Sequence, residues 1–350
     1  MQMDMHYYGV YAMARAAGMR VGPAEIVATA SEYVDDAIWD REVLAEDGRC
    51  ILTEMTAHKL LDFKNADNES QRKVWLPFHF LPGGEGDTTA AQFICRKDSR
   101  ISRAMVERSI AFADDAPYGA HLMGIMAHVY ADTFAHDGFM GANHSYNAIE
   151  SNSICLDVTS DGILDHIQKK AKGFKNKLIS YGLSQLFPLG HAAATTYPDR
   201  PYLRWRYVRA VDGKEVEREN PKDYLAACKA MHEMFKAYLE RVPKKGESGT
   251  AKRWKEIRNP VKKLIEIEGD KDTRIKAWKK AMRNNQLFGG NAKVPQYKGH
   301  KWSASIDDLE PLEIPKNIDK LPVYRFYQAV RIYRAHVLSN LLPSSNIIAA

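Results

Sequence analysis

Apolar side chains recur every three to four residues along most of the chain, the spacing that gathers them on one face of an α-helix. Glycines and prolines mark where these runs stop and start, because glycine favours the position after a helix and proline its first turn. The pattern predicts helices over residues 5–18, 23–37, 99–114 and 117–137, a helix that begins at Asn220-Pro221, and a last helix over about 321–341.

Two stretches depart from the helical spacing. Residues 205–219 alternate between apolar and polar side chains around Asp212-Gly213, which predicts a β-hairpin. Residues 75–86, WLPFHFLPGGEG, contain Pro77, Pro82 and a Gly-Gly pair, so we expect a loop that presents His79. The chain is therefore expected to be mainly α, with one short hairpin.

The distribution of charge and histidine divides the chain. Nine of the twelve histidines precede residue 200, whereas residues 244–283 contain fourteen Lys and Arg against six Asp and Glu. We predict a His-rich helical domain over residues 1–204. Residues 205–350 are expected to form the hairpin and a basic helical C-terminal extension that packs on the first domain.

The overall composition limits the classes of protein that fit. With 350 residues, 45% of them apolar, and a formal net charge of +6, the chain can bury a substantial core and is only mildly basic. No apolar run is long enough to span a membrane, and the first residues do not look like a secretion signal. The four cysteines are scattered, which argues against a disulfide framework or a Cys-type zinc site. A cytoplasmic location is the simplest expectation.

The stretch HVYADTFAH at 128–136 carries the clearest chemical signal. Along a helix, His128, Asp132 and His136 fall on one stripe, and His121 shares it. Residues four apart have Cβ atoms about 5–6 Å apart, which lets their side chains converge on one divalent ion or on two neighbouring ions. His and Asp are the usual zinc ligands of catalytic sites. Hydrogen-bonded His and Asp pairs between buried helices are the plainer alternative.

Further candidate ligands lie at helix ends and in loops bounded by Pro or Gly: Asp4, His6, Asp35, His79 and His191. Asp199 and His144 are left open as ligands. An Asp at a helix end is often only solvated or capping, and a single His is often a core residue. His58 is expected on a helix surface.

The order of these motifs resembles the zinc-dependent phospholipase C and single-strand-specific nuclease superfamily. The matches are an N-terminal His, an aromatic-x-Asp at a helix end, a His-aromatic pair, and His-x3-Asp followed by His: His6, Tyr33-Val34-Asp35, His79-Phe80, and His128, Asp132 and His136. The resemblance covers roughly residues 4–200. It implies an all-α fold that holds three zinc ions in a cleft and activates water for attack on a phosphodiester.

The chain departs from that superfamily in three respects. In the superfamily the spacing from the Asp to the second His of this helix is longer by one or two residues. The closing His-x3-acid motif is missing, since Ala148 stands four residues after His144, and His191 with Asp199 is expected to replace it. Superfamily members also use the amino group of a processed N-terminus as a ligand, and here we expect Asp4 to stand in. The chain also resembles a group of uncharacterised bacterial proteins that share its Asp-x-His-Tyr-Tyr, Phe-His-Phe-Leu-Pro and His-x3-Asp-Thr-Phe-Ala-His motifs.

The leading hypothesis is a metal-dependent hydrolase with two or three zinc ions that cleaves a phosphoester such as a phospholipid or nucleic-acid phosphodiester. We expect the first ion at Asp35, His79, His128 and Asp132, the second at His136, His191 and Asp199, and the third at Asp4 and His6 with Asp132 shared. Asp132 and Asp35 are the predicted catalytic carboxylates.

Two other functions stay open. His136-Asp137 spells the His-Asp pair of another class of metal phosphohydrolase. A non-catalytic helical protein stapled by a structural metal also fits. The basic segment 244–283 suits contact with a nucleic acid or an anionic lipid surface, although a solvated helical face is the interpretation we favour.

Overall fold

A computed structural model describes residues 1–44, 50–59, 62–150, 152–180, 188–247, 249–290, 293–307 and 318–348. The helices in these ranges are α1 (Val10–Ala16), α2 (Val21–Asp36), α3 (Asn68–Ser70), α4 (Leu76–Phe78), α5 (Thr89–Phe93), α6 (Arg100–Ala113), α7 (Gly119–Ala135), α8 (Asp161–Ser180), α9 (Asn220–Arg241), α10 (Trp254–Ile265), α11 (Lys271–Arg283), α12 (His300–Asp307) and α13 (Pro322–His336). Wider π-helical turns extend some of them: Asp4–Gly9, Gln71–Trp75 and Val337–Leu341. The mainly α fold class is confirmed.

The predicted hairpin is confirmed and belongs to a slightly larger sheet. Strands β1 (Glu42–Leu44) and β2 (Cys50–Leu52) pair antiparallel, and a second antiparallel sheet has the order β3 (Cys155–Asp157), β4 (Arg204–Val208) and β5 (Glu215–Glu219). In the hairpin Tyr207 pairs with Val216, and Gly213 has a φ of +66° in the turn. That backbone conformation is the one glycine adopts without strain.

The prediction of a loop over residues 75–86 is wrong at its start. Residues 71–78 are helical, with a π turn that leads into α4, and His79 follows the last helical residue. The carbonyl of Trp75 accepts hydrogen bonds from the N–H groups of His79 and Phe80, at 3.1 and 2.9 Å. The π turn shifts the hydrogen-bond register just ahead of Pro77, which has no N–H to donate, so the helix tolerates this proline.

Helix α7 lies at the centre of the protein. All its residues are buried, and it packs against α2, α6, α9 and α13. Its closest approach is to α2, where a Cβ added at Gly124 would press on the carbonyl oxygen of Val27 and lie 2.6 Å from the Ala30 Cβ. Because every residue of α7 is buried, the His and Asp stripe of this helix is held away from bulk solvent.

The main hydrophobic core draws on both halves of the chain. One cluster runs from Met1 to Ile347 and includes apolar residues of α9, α10, α11 and α13. A smaller cluster around the three-stranded sheet contains Phe80, Phe139, Trp205 and Tyr207. The division into domains at residue 204 stays a prediction, but residues beyond it help to bury the N-terminal helices.

The basic segment forms α10 and α11, and each has a buried apolar face. Ile257, Val261 and Ile265 of α10 and Trp278 and Met282 of α11 are buried, and α11 packs against the Asp4–Gly9 turn. Most of the lysines lie on the outer face. Among the helices of the described ranges, none combines the length and the apolar character that crossing a membrane requires.

Candidate metal centre

Separate elements bring His and Asp side chains together in the interior. His6 lies on the first π turn, Asp35 on the last turn of α2, and His79 just after α4. His128 and Asp132 lie on α7, and His136 follows its last residue. A loop after α8 adds His191 and Asp199. These residues form three sets whose ligand atoms lie within 4.8 Å of one another: His6, Asp35 and His128; His79, His128 and Asp132; and His136, His191 and Asp199. The first two sets share His128 and together make the first group of ligands, and the last set is the second group.

Asp132 lies at the middle of this arrangement. Its Oδ1 is 3.1 Å from His6 Nε2, and its Oδ2 is 3.3 Å from His128 Nε2 and 3.5 Å from His79 Nδ1. The carboxylate is buried, yet within the part of the chain that the structure describes Oδ2 makes no hydrogen bond, and neither ring nitrogen of His6 makes one. Buried polar atoms nearly always have a partner. Carboxylate and imidazole acceptors without donors are the set that a cation fits.

Backbone carbonyls fix the orientation of the four other imidazoles. His79 Nε2 donates to Thr56 O, His128 Nδ1 to Ser31 O, and His136 Nδ1 to His79 O, each at 2.8 Å. His191 Nδ1 donates to Thr195 O at 2.7 Å. A ring nitrogen that donates carries the proton, so the other nitrogen of a neutral ring has a free lone pair. Metal-binding histidines are typically held in this way.

The free nitrogens of two of these rings face each other. His79 Nδ1 and His128 Nε2 are 3.3 Å apart, and Asp35 Oδ1 lies 3.8 Å from the first and 3.9 Å from the second. Two lone pairs at this distance repel each other unless a proton or a cation is shared between them. The geometry therefore fits a divalent cation held by these rings and the nearby carboxylates.

A second group lies beside the first. Asp199 Oδ1 is 3.2 Å from His136 Nε2 and 3.6 Å from His191 Nε2. The ring of Phe80 stacks on His136 with 4.6 Å between the centroids. His136 Nδ1, which donates to the His79 carbonyl, lies 3.7 Å from Asp132 Oδ2, so Asp132 is close to members of both groups.

The amino group of Met1 lies between the two groups. It is 2.7 Å from Asp132 Oδ1 and 3.3 Å from Asp199 Oδ1, and it is buried. Burial disfavours the charged amine, but Asp132 and Asp199 outweigh that effect and raise its pKa to about 11. The sequence led us to expect Asp4 in place of an N-terminal amine, whereas the amine of Met1 itself lies beside these two carboxylates.

Burial and nearby charges set the protonation states of the candidate ligands. Burial, with His128 and the Met1 amine nearby, lowers the pKa of His6 to about 3. Burial lowers the pKa of His191 to about 4, although Asp199 opposes it. For Asp132, burial is outweighed by His136 and the Met1 amine, which hold the carboxylate pKa well below its usual range. Neutral imidazoles and ionised carboxylates are the forms that bind metal ions.

Asp4 is the one predicted ligand that the structure places elsewhere. Both its oxygens accept hydrogen bonds from the buried guanidinium of Arg274 on α11, at 2.7 Å from Nε and 3.1 Å from Nη2. The expected third ion at Asp4 and His6 is therefore corrected: His6 joins Asp35 and His128, while Asp4 anchors the first turn to α11. The two side chains, only two residues apart, serve different contacts.

The structure also places the residues that the sequence left open. Asp199 belongs to the second group, whereas His144 is exposed and its Nδ1 accepts a hydrogen bond from the Tyr146 N–H. His121 is buried outside the groups, with its ring 5.5 Å from that of Trp302. His58 was expected on a surface but is buried beside the centre, with its ring 6.2 Å from that of Trp75.

The loop that carries His191 and Asp199 has an unusual backbone. Thr195 has a φ of +54°, which β-branched residues rarely adopt. Its carbonyl is the one that holds His191. Buried Arg200 donates from Nη2 to Thr196 Oγ1 at 3.2 Å, so the Thr196 hydroxyl proton is free for another acceptor. Strain of this kind persists where the surrounding structure fixes it, often at functional sites.

A cavity of about 300 Å³ opens onto the centre. Its lining includes Asp35, His79, Asp132, His136, His191 and Asp199, together with His58, Thr195 and Thr196. The side chain of Asp35 is 38% exposed, in contrast to 1% for Asp132. The centre is therefore buried on its α7 side and accessible on the side of Asp35.

Comparisons with known proteins give one match. A family described as "Family of unknown function (DUF6765)" matches residues 1–341. No curated protein and no solved structure matches the chain.

Proposed function

The chain belongs to the family of unknown function DUF6765, and we propose that it is a metal-dependent hydrolase of phosphoesters. The observation that carries the proposal is the convergence of five imidazoles and three carboxylates in one centre, with Asp132 at its middle and three of the imidazoles and all three carboxylates lining one cavity. Four of the imidazoles are held by backbone carbonyls so that a lone pair faces the centre.

Two zinc ions suit the donors best. His79, His128 and Asp132, with Asp35 and His6 beside them, would hold one ion, and His136, His191 and Asp199 would hold the other. Neutral imidazole and carboxylate are the ligands that catalytic zinc sites use. When bound, a pair of such ions lowers the pKa of a water molecule and withdraws charge from a phosphoryl oxygen.

The side chains around the cavity have separate tasks in this proposal. Buried Asp132 bridges the two groups of ligands, while the more exposed Asp35 is placed to accept a proton from water that enters the cavity. The Thr196 hydroxyl, which accepts from Arg200, is placed to donate to a substrate oxygen. Asp199 completes the second group of ligands with His136 and His191.

The His-Asp alternative has less support. Asp137 is outside both groups, and its carboxylate faces Lys97 and Arg96 with nitrogens 3.8 and 4.0 Å away. Its backbone carbonyl accepts from Arg218. A purely structural metal also has less support, because a structural site is closed by four protein ligands, whereas this centre faces a cavity and a half-exposed Asp35.

The test is a pair of substitutions, Asp132→Asn and Asp137→Asn. We expect the wild type, purified without added metal and analysed for its elements, to contain about two divalent ions per chain. D132N should lose most of this metal and at least a hundredfold of its rate on a chromogenic phosphodiester, because the bridging carboxylate is gone. D137N should keep both, since its carboxylate faces two cations outside the centre.

A far-UV circular dichroism spectrum of each variant serves as the control for folding. Full activity in D132N, or loss of activity in D137N with D132N unaffected, would contradict the proposed centre. A wild type that holds metal tightly but turns over no phosphoester in a broad panel would favour the structural-metal alternative.

A further inference from the structure

The cavity next to the candidate centre is largely apolar. Apart from the candidate ligands and a few neutral polar residues, the residues that line it are Met1, Trp75, Phe80, Phe174, Leu178, Leu189 and Ala192. Its volume of about 300 Å³ is at the lower end of the range for small-molecule sites. The volume of the cavity and its apolar lining suit a small organic group rather than a polymer.

Two apolar side chains of helix α8, Phe174 and Leu178, form part of the wall of this cavity. Ile167, Ala171, Phe174 and Leu178 are spaced by four, three and four residues, so they share one face of the helix. Ile167 and Ala171 pack on the cluster around the three-stranded sheet. Phe174 and Leu178 continue the same stripe into the cavity. The rest of the helix is rich in lysine and mostly exposed.

The charges of the cavity limit the kind of phosphate it can take. Three aspartates line it together with Met1, whose amine is paired with Asp132 and Asp199, and within the described part of the chain no lysine or arginine side chain does. Residues 181–187, which follow α8, contain no lysine or arginine in their sequence, YGLSQLF. Proteins that bind nucleic acids neutralise successive phosphates with Lys and Arg along a groove. In this cavity, the positive charge that balances a phosphate would be concentrated at the candidate metal centre.

We infer that the substrate is a small phosphoester with a single phosphate and an apolar organic group seated on Phe174 and Leu178. The inference deepens the proposed hydrolase function and rests on it. The phosphate binds at the His and Asp centre, and the apolar group is buried against the α8 stripe. Among the described residues, no lysine or arginine side chain lies in the cavity to meet a second or third phosphate.

The experiment measures binding of alkylphosphonates, which carry one phosphonate group and are not hydrolysed. Methyl-, butyl- and hexylphosphonate are titrated into the zinc-loaded full-length protein by calorimetry, with a single-stranded oligonucleotide as the polymeric competitor. We expect affinity to rise about fourfold with each methylene buried, the equivalent of ~0.8 kcal/mol per CH₂, until the wall is covered. The oligonucleotide should bind more weakly than hexylphosphonate.

Variants of α8 test whether the wall is responsible. Leu178→Gln should remove most of the gain from chain length and leave methylphosphonate binding unchanged. Phe174→Gln, at a half-buried position, repeats the test with less risk to folding. Ile179→Gln is the matched control, because Ile179 is 58% exposed on the same helix, and it should keep the full gain.

Three results would overturn the inference: affinity independent of chain length, tighter binding of the oligonucleotide than of hexylphosphonate, or equal effects of I179Q and the two wall variants. Turnover of a chromogenic phosphodiester by the same sample tests the hydrolase separately. Absent turnover together with an intact chain-length gain would contradict the hydrolase proposal and leave the ligand preference of the cavity standing.

Discussion

Individual imidazoles in this protein are kept neutral by burial. His6 and His191 belong to the candidate centre, but His121 on α7 does not, and among the described residues neither of its ring nitrogens has a hydrogen-bond partner. Burial is the main cause that lowers the pKa of His121 from 6.5 to about 3, with Arg325 and Lys245 adding to it. His121 therefore reports on the energy of a buried imidazole without the complication of metal binding.

His121 should make the protein less stable in mild acid. Its folded-state pKa is depressed, so the unfolded chain takes up a proton below pH 6.5 that the folded chain refuses. The stability is fully present above pH 6.5 and is lost as pH falls towards 3. At pH 5 the loss from this residue is ~2 kcal/mol.

Urea unfolding at pH 7.5 and pH 5 measures this effect. In His121→Leu the loss of unfolding free energy between the two pH values should be smaller than in the wild type by that amount. His144→Gln, which changes an exposed histidine, should behave as the wild type. Equal losses in the wild type and H121L would show that His121 is not kept neutral.

At the scale of elements, the contact of α2 with α7 determines the geometry of the centre. The Ser31 carbonyl of α2 fixes His128 of α7, and Asp35 lies one turn further along α2. The helices can approach this closely because Gly124 has no side chain: a Cβ there would also lie 3.1 Å from the Ser31 amide nitrogen. The same contact thus serves packing and ligand position.

Gly124→Ala should destabilise the protein, although alanine is the better helix former. The added methyl group would meet Ala30 and the backbone of α2, and overpacking of this kind costs about 1–3 kcal/mol, more than the gain of about 1 kcal/mol in helix propensity. The variant should also bind zinc more weakly, because α2 carries the partner of His128.

Gly173→Ala on α8 is the matched control. A Cβ at Gly173 meets no atom within 4 Å, so this variant should be more stable by about 0.5–1 kcal/mol. Chemical denaturation of both variants measures the two effects. Changes of the same sign at the two positions would contradict the proposed close contact of α2 and α7.

At the scale of the whole molecule, the candidate centre joins segments that are far apart along the chain. Its residues come from the first π turn, α2, the end of α4, α7 and the loop at 191–199. Arg274 of α11 adds a link from the C-terminal half by holding Asp4 in a fully buried ion pair. Ions bound at the centre would therefore cross-link most of the N-terminal helices.

Zinc should raise the thermal stability of the protein, and chelation should lower it. A ligand that binds only the folded state stabilises it by about 4 kcal/mol when its free concentration is a thousand times the dissociation constant. Differential scanning fluorimetry across a zinc titration measures the shift in melting temperature. D132N should show little shift, since it lacks the central carboxylate. An equal shift in D132N would place the bound zinc elsewhere.

Local spacing in the sequence was sufficient for most of the fold and for part of the site. The 3.6-residue period predicted α6, α7 and α9, and the alternation around Asp212-Gly213 predicted the hairpin, because each depends on neighbours within a few residues. The same holds for His128 and Asp132, whose shared stripe follows from helical geometry alone. Residues 71–78 show the limit of this approach, since a π turn allowed a helix through Pro77.

Contacts between distant segments were decided only by the tertiary structure. Asp4 and His6 share one turn, yet packing of α11 directs one to Arg274 and leaves the other at Asp132. The Met1 amine, Asp199 and the α8 wall reach the cavity for the same reason. Which charges become neighbours depends on how helices pack over tens of residues, and the free energy of burying them is set by partners that no local pattern specifies.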